Sequence, residues 1–168
     1  IDRSERDRPS LVARCVERMS VFDPATQIGE VLLDQQIGNG VGNVYKSDVC
    51  WHEHVHPLDP LRVVEPETRA RLIATASRLL RLNLGPGRRR TVEGGLAVYG
   101  RRSRPCRRCG TAIRVTHGTR AAQPGQAGQI ERAGQSERAG QSDLERITYW
   151  CPMCQASRVA AAPRSSGK

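Results

Sequence analysis

Pro105-Cys106-Arg107-Arg108-Cys109-Gly110 and Tyr149-Trp150-Cys151-Pro152-Met153-Cys154 decide how this chain is read. Each Cys-x-x-Cys pair offers two thiolates from one tight turn. Two such turns brought together make a tetrahedral sulfur cage of the kind Zn²⁺ fills in structural sites. Four sulfurs leave no open position for water, so one structural Zn²⁺ on Cys106, Cys109, Cys151 and Cys154 is expected, and no catalytic metal. Forty-one residues separate Cys109 from Cys151, against ~15–20 in the usual layout. The excess is a degenerate six-residue repeat, Ala127-Gly-Gln-Ile-Glu-Arg132, Ala133-Gly-Gln-Ser-Glu-Arg138 and Ala139-Gly-Gln-Ser142. Rich in Gly, Gln and charge, it cannot bury a core and is expected to be disordered. Removing roughly residues 121–145 restores a separation of about 16, within the usual range. Ala112 to Val115 and Ile147 to Trp150 are short β-prone runs, each next to a cysteine pair. They predict the two strands of a metal-clamped hairpin, with the repeat inserted at its tip, where added length costs little.

Disulfides are the alternative use of these thiols. The charged start, Ile1 to Ser10, does not resemble a signal peptide, which favours reduced thiols and metal. Cys15 and Cys50 lie on apolar helix faces and read as core residues.

The rest of the composition narrows the partner. The chain has 168 residues, 38% apolar and 4% aromatic, with a formal charge of +10. Lysine occurs only at Lys46 and Lys168, so arginine, the better residue for bidentate phosphate contacts, supplies almost all of the positive charge. A four-thiolate zinc centre lowers the net charge to about +8, still suited to a polyanion. There is no run of ~18 apolar residues, so no membrane span is expected.

Before the cysteines, residues 1 to 84 read as helical. Leu11, Val12, Cys15, Val16 and Met19 form one stripe. Asp23-Pro24 suits a cap with a first-turn proline, after which Ile28, Val31, Leu32 and Gln35 continue one face. Gly38-Asn39-Gly40-Val41-Gly42 breaks that helix. Another starts at Asn43 and runs towards His54, until Pro57 and Pro60 stop it. A last long helix starts near Glu65-Pro66, buries Leu72, Ile73, Ala76, Leu79 and Leu80, and is ended by Gly85-Pro86-Gly87. From Arg88 onward, Arg88 to Arg90, Arg101, Arg102, Arg104, Arg107 and Arg108 make a basic approach to the first cysteine pair.

Two motifs are rejected. His52-Glu53-His54-Val55-His56 matches the H-E-x-x-H metalloprotease signature, but that chemistry needs both histidines on one continuous helix face, and Pro57 disfavours helix at His56. The glycine cluster 38–42 approaches a dinucleotide fingerprint, which requires a preceding strand where this chain has a helix. A glycine turn between helices fits better. It lets a partner's backbone approach, and the following helix offers N–H groups and a positive dipole end to an anion. Asn43 can cap that helix or hand its amide to the same phosphate.

Asp34-Gln35-Gln36, Gly40-Val41-Gly42-Asn43-Val44-Tyr45 and His56-Pro57 resemble the helix-two-turns-helix module of the formamidopyrimidine-DNA glycosylase and endonuclease VIII family. Val98-Tyr99-Gly100-Arg101, Pro105 to Thr111 and Tyr149 to Gln155 resemble its C-terminal zinc finger. The resemblance runs from roughly residue 10 to 155, the repeat excluded. It implies a mainly α fold: a helix-two-turns-helix DNA-binding domain over 1–97, a four-cysteine zinc-finger β-hairpin over 98–156 with its insertion at about 121–145, and a disordered tail over 157–168. It also implies DNA contacts by Gly40, Gly42, Asn43 and Arg146, the last selected by its distance of five residues from Cys151. The implied activity is that of a base-excision-repair DNA glycosylase/AP lyase, which removes oxidised bases and cleaves abasic sites by β,δ-elimination. The short Gly85–Leu96 segment and the Tyr-Trp-Cys-Pro string lean towards the endonuclease VIII branch and oxidised pyrimidines.

The family's nucleophile is an N-terminal proline followed by a glutamate, whereas this chain begins Ile1-Asp2-Arg3. The resemblance also implies a missing N-terminal catalytic domain, the family's β-sandwich. This half is therefore expected to carry no catalytic residue and to bind, without cleaving, double-stranded DNA that contains damaged bases or abasic sites. The implied setting is a monomer in the bacterial cytoplasm, associated with the nucleoid. The alternative is a non-enzymatic zinc-ribbon module that binds nucleic acid.

Overall fold

The computed structural model describes residues 8–117 and 147–159. Arg146, the repeat and the segment from residue 160 onward lie outside the described residues. Four helices, a 3₁₀ turn and a two-stranded sheet follow in order: α1 Arg8–Met19, α2 Ile28–Leu33, α3 Asn43–His52, the 3₁₀ turn Leu61–Val63, α4 Pro66–Leu82, β1 Arg114–His117 and β2 Ile147–Trp150. No helix among the described residues is long and apolar enough to cross a membrane.

The apolar stripe of α1 packs through Val12, Cys15 and the fully buried Met19. Asp23-Pro24 does not start α2. Asp23 Oδ1 accepts the N–H of Ala25 at 2.8 Å, which closes a local turn. The chain then runs beside residues 59–62, with Leu61 N–H on Thr26 O and Ile28 N–H on Asp59 O, both at 2.8 Å. These bonds hold Gln27 extended, bridged to Pro60, and delay the helix to Ile28. Within α2, a Cβ on Gly29 would lie 2.8 Å from Pro57 O, so only glycine permits that approach. Gln35 falls outside α2, because Asp34 is extended and its Oδ1 accepts the N–H of Gln36 at 2.8 Å.

α3 is the central element, buried from Tyr45 to Trp51. Val49 and Cys50 join a first core with Ile28, Leu32, Leu72 and Leu79. Trp51 joins a second core with Val98, Cys106, Ile113 and Cys151. A helix enclosed on all sides shows little one-sided apolar patterning, and α3 carries buried Lys46, Ser47 and Asp48 as well as apolar residues.

Pro66 occupies the first turn of α4, as expected. The helix ends before Gly85-Pro86-Gly87, at Leu82. Asn83 closes it: its Nδ2 donates to Leu79 O at 2.7 Å and to Arg90 O at 2.9 Å, and its Oδ1 accepts Arg90 N–H at 2.8 Å. The side chain thereby clamps the loop that follows.

The hairpin is antiparallel, with Arg114 opposite Trp150 and His117 opposite Ile147. The second strand matches its predicted span. The first begins two residues later than expected, because Ala112 pairs instead with Pro105 inside the cysteine turn. At the end of the described residues, Ser157 Oγ donates to Asp59 Oδ1 at 2.6 Å and Arg158 N–H to Asp59 Oδ2 at 3.0 Å. Residues 157–159, grouped above with the tail, therefore start it in a fixed position.

Candidate metal centre and nucleic-acid interface

The two Cys-x-x-Cys turns fold alike. Gly110 N–H bonds Cys106 O at 2.9 Å, and Gln155 N–H bonds Cys151 O at 3.0 Å. Arg108 N–H points at Cys106 Sγ and Cys154 N–H at Cys151 Sγ, each at 3.4 Å. The four sulfurs lie within 4.8 Å of one another and form no disulfide. Cys106 and Cys154 are 3.9 Å apart, and Cys109 and Cys151 3.5 Å. An ion with sulfurs at ~2.3 Å in a tetrahedron sets its ligands ~3.8 Å apart. The residues therefore fit a four-sulfur divalent ion.

The sulfurs differ in acidity. The hydroxyl and N–H of Thr111 hold the exposed Cys109 down at about 6. Burial, reinforced by the three neighbouring thiols, pushes Cys154 up to about 12. Thiols crowded in this way are completed by a cation, which displaces their protons.

The cluster is fastened to α3. Trp51 Nε1–H donates to Cys106 Sγ at 3.3 Å. The Arg108 guanidinium lies 3.9 Å over the Trp51 ring and donates to Trp51 O at 3.1 Å. Gln155 is fully buried, accepting Cys151 N–H at 2.8 Å and donating to Val55 O at 2.9 Å. The buried Asp48 carboxylate gathers the approach to the first cysteine pair. It accepts the Thr91 hydroxyl and the N–H groups of Ala97, Val98 and Tyr99, these last at 2.7–3.0 Å. Several arginines of that approach hold the fold rather than await a partner. Arg107 donates to Leu96 O and Gly94 O, and Arg101 to Ala97 O and Pro105 O. Arg88, Arg89, Arg90, Arg102 and Arg104 are exposed.

The H-E-x-x-H string forms no site. α3 ends at His52, whose Nε2 meets Thr91 O at 2.9 Å, while His56 packs against Trp150. Burial lowers the pKa of both rings, which keeps them neutral. Glu53 binds Arg71 at 3.3 Å and accepts the Thr75 hydroxyl at 2.7 Å.

The glycine turn sits at the head of α3. Gly40 has φ +87°, and its N–H is held by Gln35 Oε1 at 3.2 Å. Gly42 is the N-cap, in extended backbone that any residue adopts, and a Cβ there would meet nothing within 4 Å. Asn43 is the first helical residue and not the cap. Its Oδ1 accepts from Lys46 Nζ at 2.9 Å. The same ammonium donates to Ile147 O at 3.1 Å and to Thr148 Oγ1 at 2.9 Å. The turn and the metal hairpin thus lie side by side, joined by Lys46. Sequence reasoning missed Lys46 and Asp48, although a lone lysine inside an arginine-rich chain was a visible signal. Gly40, Gly42 and Asn43 stand together here, whereas Arg146 lies outside the described residues, one position before the bonded Ile147.

No family model matches the chain. It is 41% identical over 149 residues to a probable endonuclease 8 2 of Streptomyces coelicolor, a match covering 87% of this chain and 45% of the relative. It is 37% identical over 142 residues to the DNA-(apurinic or apyrimidinic site) lyase Nei2 of Mycolicibacterium smegmatis, covering 80% and 45%. Lactococcus lactis Fpg, solved in complex with DNA containing an abasic site, shares the fold with a TM-score of 0.56 at 19% identity, over 90% of this chain and 48% of that one. The chain spans about half the length of these relatives. Two cysteine turns, a hairpin, a glycine-headed helix and these likenesses agree: the chain belongs to the formamidopyrimidine-DNA glycosylase and endonuclease VIII family, corresponds to its C-terminal part, and has similar relatives on the endonuclease VIII branch.

Proposed function

We propose that this chain is the DNA-gripping half of a base-excision-repair glycosylase/AP lyase that acts on oxidised bases, with pyrimidines favoured. The observation that carries the reading is the bridge from Asn43 through Lys46 to Ile147 and Thr148. It supports a single surface on which a helix-two-turns-helix and a zinc hairpin hold the same backbone. In this reading Gly40 shapes the turn. Gly42 leaves space for a phosphate to come close, and Asn43 and the N–H groups heading α3 bind it. Arg146 adds a bidentate contact from the hairpin. Zn²⁺ on the four cysteines supplies a rigid closure and no reaction step. Together these contacts hold the bent duplex from which a base is flipped. The β,δ-elimination belongs to the remaining length of the whole protein.

Binding of the purified chain to abasic-analogue duplex, plain duplex and single strand tests this. The abasic duplex should bind tightest. Asn43→Ala should weaken binding across sequences, and Arg146→Ala should also lower the salt slope by about one unit. Equal binding to plain and abasic duplex would favour the non-enzymatic zinc-ribbon module. No binding at physiological salt would overturn the proposal.

A further inference from the structure

Among the described residues, Lys46 is the one buried cation whose partners come from both halves of the proposed grip. It is 2% exposed. Its stem crosses α2 at Gly29, where a Cβ would come within 3.4 Å of Lys46 Cδ. An ammonium has three donors and no acceptor, and here three acceptors surround it: Asn43 Oδ1, Ile147 O and Thr148 Oγ1. Because an ammonium can only donate, it fixes which end of the Asn43 amide faces inward. The oxygen turns to Lys46, which leaves the amide nitrogen, with its two donors, as the end able to serve a phosphate. Two of the three bonds end on β2, so the orientation of Asn43 depends on the hairpin being docked. We propose that Lys46 is a positioning residue that presents the Asn43 amide to backbone phosphate and makes that contact conditional on the docked metal hairpin. The inference rests on the reading of Asn43 as a phosphate contact.

A double-mutant cycle on the full chain tests it, read by binding of abasic-analogue duplex with zinc content measured alongside. Lys46→Met should lower affinity about tenfold, the size of an ordinary coupling between sites, with full zinc retained. In the Asn43→Ala background the same change should cost little more. Thr148→Val, which removes one anchor on the hairpin, should lower affinity in the same non-additive way. Additive losses would make Lys46 a merely structural strut and overturn the inference while leaving the phosphate role of Asn43 intact. If Asn43→Ala alone changes nothing, the underlying reading fails, and this one with it.

Discussion

The indole N–H of Trp51 donates to Cys106 Sγ at 3.3 Å, joining the last turn of α3 to the metal cluster. Hydrogen bonds to a ligating sulfur lower its charge and fix its direction, and loss of such a partner typically costs 10–100-fold in metal affinity. Trp51→Phe keeps the ring and removes the donor. It should weaken zinc binding about tenfold in competition with a chromophoric chelator. Unchanged affinity would reduce the indole to packing.

Asp48 collects four donors from the segment 91–99. Asp48→Asn puts an NH₂ where one oxygen accepted, so buried N–H groups lose their partner. The variant should lose about 3 kcal/mol of stability in urea unfolding, helix content being otherwise normal. A loss below about 1 kcal/mol would mean that water or rearrangement replaces the carboxylate.

Removing the metal should separate the two cores. A structural zinc in a small site contributes about 10–16 kcal/mol of apparent binding energy. The first core, around Leu32, Leu72 and Leu79, has no member among the cysteine ligands. Chelation, or Cys106→Ser, should therefore abolish the near-ultraviolet signal of Trp51 and Trp150 while far-ultraviolet helicity largely persists. Complete loss of helicity would show that α3 cannot stay folded without the hairpin.

Burial lowers Lys46 from 10.5 to about 8, and the Glu30 carboxylate counters this only in part. Cys50, itself pushed up to about 12 by burial, stays neutral over that range. Between about 8 and 10.5 the unfolded chain keeps a proton that the folded chain releases. The Lys46 contribution to stability is therefore least favourable below pH 8 and improves as pH rises towards 10.5, by at most about 3 kcal/mol. Urea unfolding of the metal-loaded wild type and of Lys46→Met should show the gap between them moving in the wild type's favour over this window. A gap that does not vary with pH would mean that the ammonium is solvated.

Local signals in the sequence were legible. Pro66 opened α4, the glycine run preceded α3, and the cysteine spacing with its β-prone flanks produced the hairpin and the sulfur cluster. What stayed hidden was set by distant partners. Asp23-Pro24 looked like a helix start, yet it forms a tight turn that the backbone of residues 59–62 pins in place. Gln35 kept the helical period, but Asp34 had already left the helix. Lys46 and Asp48 sit in a helix with polar residues on every turn, and nothing nearby reveals that, Asn43 aside, their partners lie 43 to 102 residues away. Ser157 looked like part of a polar tail until Asp59 was found to bind it.

The pairing of His117 with Ile147 places the two residues that flank a long intervening stretch opposite each other on one rung of the ladder. That rung is a natural graft point. A short turn, an affinity handle or a fluorophore-bearing loop joined at that rung would start from a register already set by the pairs from Arg114–Trp150 to His117–Ile147.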